Sequence, residues 1–411
     1  MEQTDDRLWS LLRAPEGPLV PYIDAFARQL NEHGFKRYSI APQIRLVAKF
    51  SRWLKANHIG VERVTEEHVQ RFLRRLKPRR SSQLGFDAAL HRLIVFLQQL
   101  DVIDEQAPLA EATPIQMVVG AFAQHLRQDR ALSHATFVQY VPFIEQFLAE
   151  RFGNGVIDLS DLCAADVVGF VRRQAVRLSQ VRARCATIAL RSFLRYLRYR
   201  GEIRLDLAAA VPSVPNWSMT GIPRAIAAEH VRAVLANCRR DTPVGCRDYA
   251  ILLLLARLGL RAGEIVALTL ESIDWESGCL TVIGKGGQES QLPLPCEVGE
   301  AIAIYLQRGR PGSACRTLFL RANAPIRGLG SQTSIGSIVN AAMTRAGIAT
   351  THKGSHQFRH ALACEMLRQG ATLTEIGSLL RHRHSKTTGI YAKVDFGALR
   401  PLSLPWPGDA R

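Results

Sequence analysis

The chain has 411 residues, 47% of them apolar, and carries 53 Lys and Arg against 36 Asp and Glu, a formal charge of +17. That length suits two or three globular domains, and an Arg excess spread through every region, with no polybasic tail, suits a polyanionic partner whose counterions are released on binding. Met1 to Arg13 hold Glu2, Asp5 and Asp6 instead of a basic start and an apolar run, and the longest apolar run, Ala250 to Ala256, is too short to cross a bilayer, so a cytoplasmic protein that does not engage membrane is expected.

After a tail over residues 1–16, the first two hundred residues read as helical, with apolar residues three and four apart and turn residues between segments. They also read as one unit written twice, over 17–105 and 113–205. Ala25-Phe26-Ala27-Arg28-Gln29-Leu30 is matched by Ala121-Phe122-Ala123-Gln124-His125-Leu126, and Phe72-Leu73-Arg74-Arg75 by Phe170-Val171-Arg172-Arg173. Leu90, Phe96, Leu97 and Ile103 correspond to Leu190, Tyr196, Leu197 and Ile203, and the offset widens from 96 to 98 to 100 residues, as small insertions between two copies of one helical bundle would cause. Three matched stretches in order favour duplication over the chance likeness of amphipathic helices. Both copies carry Arg on polar faces, and in the second Arg172, Arg173, Arg182 and Arg184 are candidate DNA ligands. Asp101 to Pro114 reads as a linker between the copies. A second linker, residues 206–222, holds Pro212 and Pro215, which discourage helix.

From residue 223 the pattern changes. An amphipathic helix is predicted over Ala228 to Asn237, and an apolar helix over Tyr249 to Leu258 that ends near Gly259. Residues 279–283, 284–287 and 290–294 read as strand, turn and strand. Helices resume near Ser334, and the last runs from Thr372 to Leu380. Residues 223–398 are thus an α+β region, mostly helix with one small sheet, and 399–411 form a tail containing Pro401, Pro405 and Pro407. Eight cysteines without a C-x-x-C pair fit neither a zinc ribbon nor a secreted disulfide framework.

Five features of this region fall in a fixed order: Leu258-Gly259-Leu260-Arg261-Ala262-Gly263-Glu264, Lys285 in a Gly-flanked turn, His356-Gln357-Phe358-Arg359-His360, His382, and Tyr391. Each alone is ambiguous. Arg261 and Glu264 could be a surface helix pair, Lys285 an ordinary hairpin lysine, and Tyr391 a half-buried aromatic. In this order, with Leu379-Leu380-Arg381-His382-Arg383-His384-Ser385-Lys386-Thr387-Thr388-Gly389-Ile390-Tyr391 closing the set, the sequence resembles the tyrosine recombinase (phage integrase) family over Arg224 to Val394.

Chemistry gives each residue type a reason to be there. The pentavalent transition state of displacement at phosphorus is anionic, and Arg261 and Arg359 offer paired N–H groups that stay charged at any relevant pH. His356 lies three residues before Arg359, so one helical face can present both; His356 and His382 suit hydrogen bonds to phosphate oxygens or proton transfer. A tyrosine hydroxyl titrates near about 10 and is a poor nucleophile until cations stabilise the phenolate. The resemblance implies that Tyr391 is that nucleophile, that Lys285 protonates the leaving 5′ oxygen, and that a helical SAM-like core-binding domain precedes the catalytic domain. Glu264 is expected to orient a catalytic side chain. Arg381, standing where the family usually has Gly, and Arg383 are further candidate DNA contacts. Gln288, Glu289 and Ser290 depart from a basic pair common after the hairpin lysine.

His352, His356 and His360, with His382 and His384, are the one arrangement resembling a metal site. Gln357 stands where the metalloprotease signature requires Glu, so no metal and no cofactor are expected. The activity implied is that of a mobile-element integrase or transposase working through a 3′-phosphotyrosyl intermediate and a Holliday junction, without metal or ATP. Double-stranded DNA is the expected partner, with a homotetramer on two duplexes and room for a partner recombinase. A type IB topoisomerase-like enzyme and a catalytically silent DNA-binding accessory factor are the alternatives.

Overall fold

The computed structural model describes residues 14–76, 80–103, 113–132, 134–153, 155–214, 225–284, 287–350, 354–382 and 384–394. Lys285, Arg383, His352, the tail 399–411, residues 104–112 of the first expected linker and 215–222 of the second lie outside the described residues. The chain is mainly helical with one three-stranded antiparallel sheet. Its backbone packs as two compact units, Met1–Asp104 with Gly221–Arg411, and Glu105–Thr220.

The second unit holds α5 (Pro114–Gln128), α6 (His134–Phe152), α7 (Ala164–Arg177) and α8 (Gln180–Arg200). Thr113 and Gln116 cap α5 reciprocally with Pro114 at its first position, which satisfies two amides a helix start would otherwise leave open. α8 stops at Gly201 in the left-handed conformation. Phe122, Phe147, Phe170 and Phe193 fill the core. Leu207, Ala208 and Val211 belong to the same core, and Arg191 donates to the carbonyl of Val211 at 2.7 Å. The start of the expected second linker is therefore packed chain, because its apolar residues are spaced to reach the bundle before the prolines begin.

In the first unit, α1 (Ile23–Glu32), α2 (Arg37–Ala56), α3 (Glu66–Leu76) and α4 (Arg80–Gln99) form a bundle with its own core. The element order matches α5 to α8, down to a 3₁₀ turn before the third helix (Val61–Arg63, Leu159–Asp161) and a proline inside the second (Pro42, Pro142). Phe26 meets Phe96 at 5.4 Å and 45°, and Phe122 meets Tyr196 at 5.5 Å and 47°.

The remainder of that unit is built on α9 (Ala228–Ala236), α10 (Pro243–Arg257), α11 (Ala262–Ala267), α12 (Cys296–Ile304), α13 (Gln332–Arg345), α14 (His356–Arg368), α15 (Leu373–Leu379) and α16 (Ser385–Thr388). Ile251 to Leu255 on α10 are wholly buried, so this helix is apolar all round and forms the centre. It starts earlier than its apolar run because Thr242 caps it and Pro243 takes its first position. The sheet comprises β1 (Ile273–Asp274), β2 (Cys279–Ile283) and β3 (Glu289–Pro293), with Leu280 facing Leu292 across the ladder. β3 begins one residue before the sequence pattern suggests, because Ile283 pairs with Glu289. α12 continues into a π turn, Tyr305–Gly309, and neither is signalled by a strong polar–apolar period.

Candidate active site

Four turns of chain converge on one polar cluster in the first unit. At the first, α10 ends and Gly259 takes a φ of +57°. A Cβ there would lie 2.7 Å from Leu380 and 3.1 Å from Leu362, so only glycine allows both the left-handed turn and the close approach. The chain then places Arg261 at the N-cap of α11. Its backbone N–H donates to Glu264 Oε2 at 2.8 Å and its guanidinium to Oε1 at 2.7 Å. Glu264 is only 4% exposed. Burial works against its charge, but the Arg261 amide and the guanidiniums of Arg381 and Arg261 hold its carboxyl below the usual range.

The second turn opens α14 and brings His356, Arg359 and His360. Arg359 is 4% exposed and donates to the carbonyls of Gly259 and Leu380. One guanidinium thus fastens the turn before Arg261 to the turn before His382. Burial, reinforced by Arg261 and Arg381, brings Arg359 down to about 10, which leaves it cationic at neutral pH. His356, at the exposed start of the helix, is held below its ordinary value by partial desolvation, then by Arg359 and Arg261.

At the third turn α15 ends and Arg381 adopts a φ of +54°. Its guanidinium donates to Glu264 Oε2 at 2.8 Å and to the Leu379 carbonyl at 2.9 Å. His382 follows, its Nδ1 paired with the Thr388 hydroxyl at 2.8 Å. Burial, then Arg359 and Arg261, push His382 down to about 4, so the ring is neutral at physiological pH.

The fourth turn is the 3₁₀ segment Gly389–Val394. Tyr391 is 1% exposed and packs with Ala363, Cys364, Ile376 and Leu380. Its hydroxyl meets His360 Nδ1 at 2.9 Å, and its ring lies parallel to His382 at 6.4 Å. Burial pushes the phenol up to about 12 against the opposing pull of Arg359. Two clefts border the cluster. One of about 370 Å³ is lined by Thr374, Ser378, Arg381, His382, Ser385 and Thr388, and one of about 560 Å³ by Gln288, Ser290, Arg381, His382 and His384.

Arg261, Glu264, Arg359, Arg381, His382 and Tyr391, which the sequence singles out, are therefore brought together, with His356 beside them on α14. His360 and Thr388 were not assigned these contacts from the sequence. The signal for His360 was its spacing of four from His356, which sets both on one side of a helix. Among the described residues no three His, Cys, Asp or Glu side chains group as a metal site. Arg172, Arg173, Arg182 and Arg184 lie exposed on α7 and α8 in the second unit. Arg173 is bound to Glu150 at 2.8 Å, and Arg182 lies over the Phe143 ring.

Residues 224–397 match the model of the phage integrase family. An integrase/recombinase of Sinorhizobium fredii, y4rA, is 50% identical over 404 residues, covering 98% of each chain. Tyrosine recombinase XerD of Mycobacterium tuberculosis is 31% identical over 305 residues, 70% of this chain and 95% of XerD. In fold, the chain is similar to the XerH site-specific recombinase, solved bound to a palindromic difH substrate after cleavage, with a TM-score of 0.55 at 16% identity over 72% of this chain and 97% of XerH. Fold and relatives together define the class, enzymes that cleave and rejoin DNA. The chain belongs to the phage integrase family, the tyrosine recombinases.

Proposed function

We propose that this chain is a site-specific recombinase of a mobile element, an integrase or transposase, that cuts and rejoins DNA through Tyr391. The observation that carries this reading is the 2.9 Å contact between Tyr391 Oη and His360 Nδ1, in a cluster that also holds the guanidiniums of Arg261, Arg359 and Arg381. The phenol is protonated at rest and must lose its proton as its oxygen bonds to phosphorus. His360 is the acceptor in contact, and burial, with His356 and Arg359, keeps it neutral by lowering its affinity for a proton. Arg261 and Arg359 would hold the non-bridging oxygens as charge builds on them, and the neutral rings of His356 and His382 would add hydrogen bonds. Tyr391 is enclosed, so phosphate reaches it only once the Gly389–Val394 turn shifts.

In this scheme the Tyr391 oxygen–phosphorus bond forms as the bond from phosphorus to the 5′ oxygen breaks. The leaving oxygen takes a proton from Lys285, the role the family resemblance gives it. A 5′ hydroxyl from the second duplex then attacks the 3′-phosphotyrosyl ester, giving its proton to Lys285 as the bond from phosphorus to the Tyr391 oxygen breaks, and the phenolate takes its proton back from His360. Bond energy is conserved through the ester, so religation needs no ATP, and the arginines would supply the positive charge that a metal brings in other phosphoryl-transfer sites. Paired exchanges through a Holliday junction call for four active sites, hence a homotetramer on two duplexes in the cytoplasm, with or without a partner recombinase. Residues 113–205 would serve as the core-binding domain, with Arg172, Arg173, Arg182 and Arg184 toward phosphates, 17–105 as its duplicate lengthening the DNA footprint, and 223–398 as the catalytic domain.

The test is covalent trapping. Wild type and Tyr391→Phe are incubated, without metal, with nicked suicide substrates from the ends of the host element and run on a denaturing gel. A shifted band present only with Tyr391 supports the mechanism and gives its polarity. DNA binding without any adduct from wild type would instead favour a silent accessory factor.

A further inference from the structure

Arg381 occupies a backbone conformation that disfavours every residue with a side chain except, mildly, Asn and Asp. It carries its charge into the interior, where its side chain is 10% exposed. There it shares one carboxylate with Arg261: Glu264 Oε1 accepts from the Arg261 guanidinium at 2.7 Å and Oε2 from Arg381 at 2.8 Å. The Arg381 carbonyl also accepts from Arg261 Nη2 at 3.4 Å. Arg261 is therefore gripped from two sides by the Arg381–Glu264 pair. The Arg381 Nε–H is buried without a hydrogen-bond partner, a cost no resting-state contact offsets. Both clefts beside His382 have Arg381 in their walls. Strain and an unsatisfied buried donor at one residue are features that persist where function requires them.

We propose that Arg381 is a positioning residue for strand cleavage, fixing the Arg261 guanidinium against the scissile phosphate through the carboxylate the two share. With Glu264 divided between two cations, Arg261 keeps N–H groups for phosphate oxygens instead of closing both on one carboxylate. The cluster of Arg261, Arg359 and Arg381 also outweighs Glu264 in charge, and a phosphodiester is the anion that balances it. This inference rests on the recombinase reading of the same site.

Arg381→Gly suits the left-handed backbone and removes the guanidinium; Arg381→Asn does so with a side chain that tolerates the conformation, should the glycine variant fold poorly. Both are compared with wild type and Arg381→Lys for DNA affinity and for single-turnover cleavage of suicide substrates, with the scissile phosphate either native or replaced by an uncharged methylphosphonate. Expected are an affinity loss of no more than a few-fold, from the one cation removed, cleavage of the native phosphate slowed by roughly ten- to a hundredfold, the range for losing a partner that orients an active-site group, partial rescue by Lys, and a much smaller deficit on the uncharged substrate. Wild-type rates in both Gly and Asn variants overturn the proposal, and so does an equal deficit on the two substrates, which marks a purely structural role. Failure of wild type to form any Tyr391 adduct overturns the recombinase reading and this inference with it.

Discussion

Acid is expected to loosen the catalytic region through His382 before its carboxylates take over. The folded protein holds this ring near about 4, whereas a free histidine titrates near about 6.5. A group whose folded value is depressed contributes stability that is whole above its unfolded value and drains away as pH falls toward the folded one. Between about pH 7.5 and about pH 5 the unfolded chain takes up the proton and the folded one does not, a loss of about 2 kcal/mol, trimmed to between about 1 and 2 by water at the partly exposed ring. The assay is hydrogen exchange resolved to peptides of α14 at both pH values, corrected for intrinsic rates, in wild type and His382→Asn. The other titrating groups cancel in the comparison, so the variant should lose less protection on acidification by that amount. Equal losses in the two proteins would refute the assignment of the shift to His382.

Gly259→Ala should lower stability by about 2 to 5 kcal/mol in urea unfolding, combining a left-handed alanine with overpacking against Leu380; an unchanged midpoint would contradict the geometry at this turn. His360→Asn should slow single-turnover cleavage by about 10²- to 10⁴-fold. In wild type the rate should fall in acid, along a limb that lies below the ordinary histidine range because burial, then His356 and Arg359, lower His360, and that acid limb should vanish from the variant's profile. In salt titrations of DNA binding, Arg172→Gln and Arg184→Gln should each reduce the slope of log affinity against log salt by about 1. Arg173→Gln should change it less, because Glu150 already neutralises that side chain.

Much of this architecture is legible because the relevant signals are periodic or local. Phe26, Phe72 and Leu97 recur as Phe122, Phe170 and Leu197, and all six are buried. The run Ala250 to Ala256 is apolar on every side and becomes the central helix. The order from Arg261 through Arg359 to Tyr391 points to one site because its residue types suit one anion. What spacing does not convey is contact across the chain. Nothing near Glu264 in sequence announces that its second oxygen faces Arg381, 117 residues away. Nor does it announce that the Gly259 carbonyl is the acceptor for Arg359. The sequence places His360 in the His356–His360 feature and at metal-ligand spacing from His356 but gives it no role in the chemistry, because its contact with Tyr391 spans 31 residues. The length of α10 and the one-residue advance of β3 depend on a cap and on strand register, which apolar periodicity does not resolve.

The pocket around Tyr391 is furnished by its own chain, from Ala363 and Cys364 on α14 to Ile376 and Leu380 at α15, with His360 on its hydroxyl. On the proposed mechanism each copy of the protein would thus carry its own nucleophile, stowed beside the arginines it would work with. In an assembly arranged this way a damaged copy cannot borrow a neighbour's tyrosine. Mixing subunits that lack Tyr391 with subunits that lack Arg359 would yield a complex in which every member is disarmed.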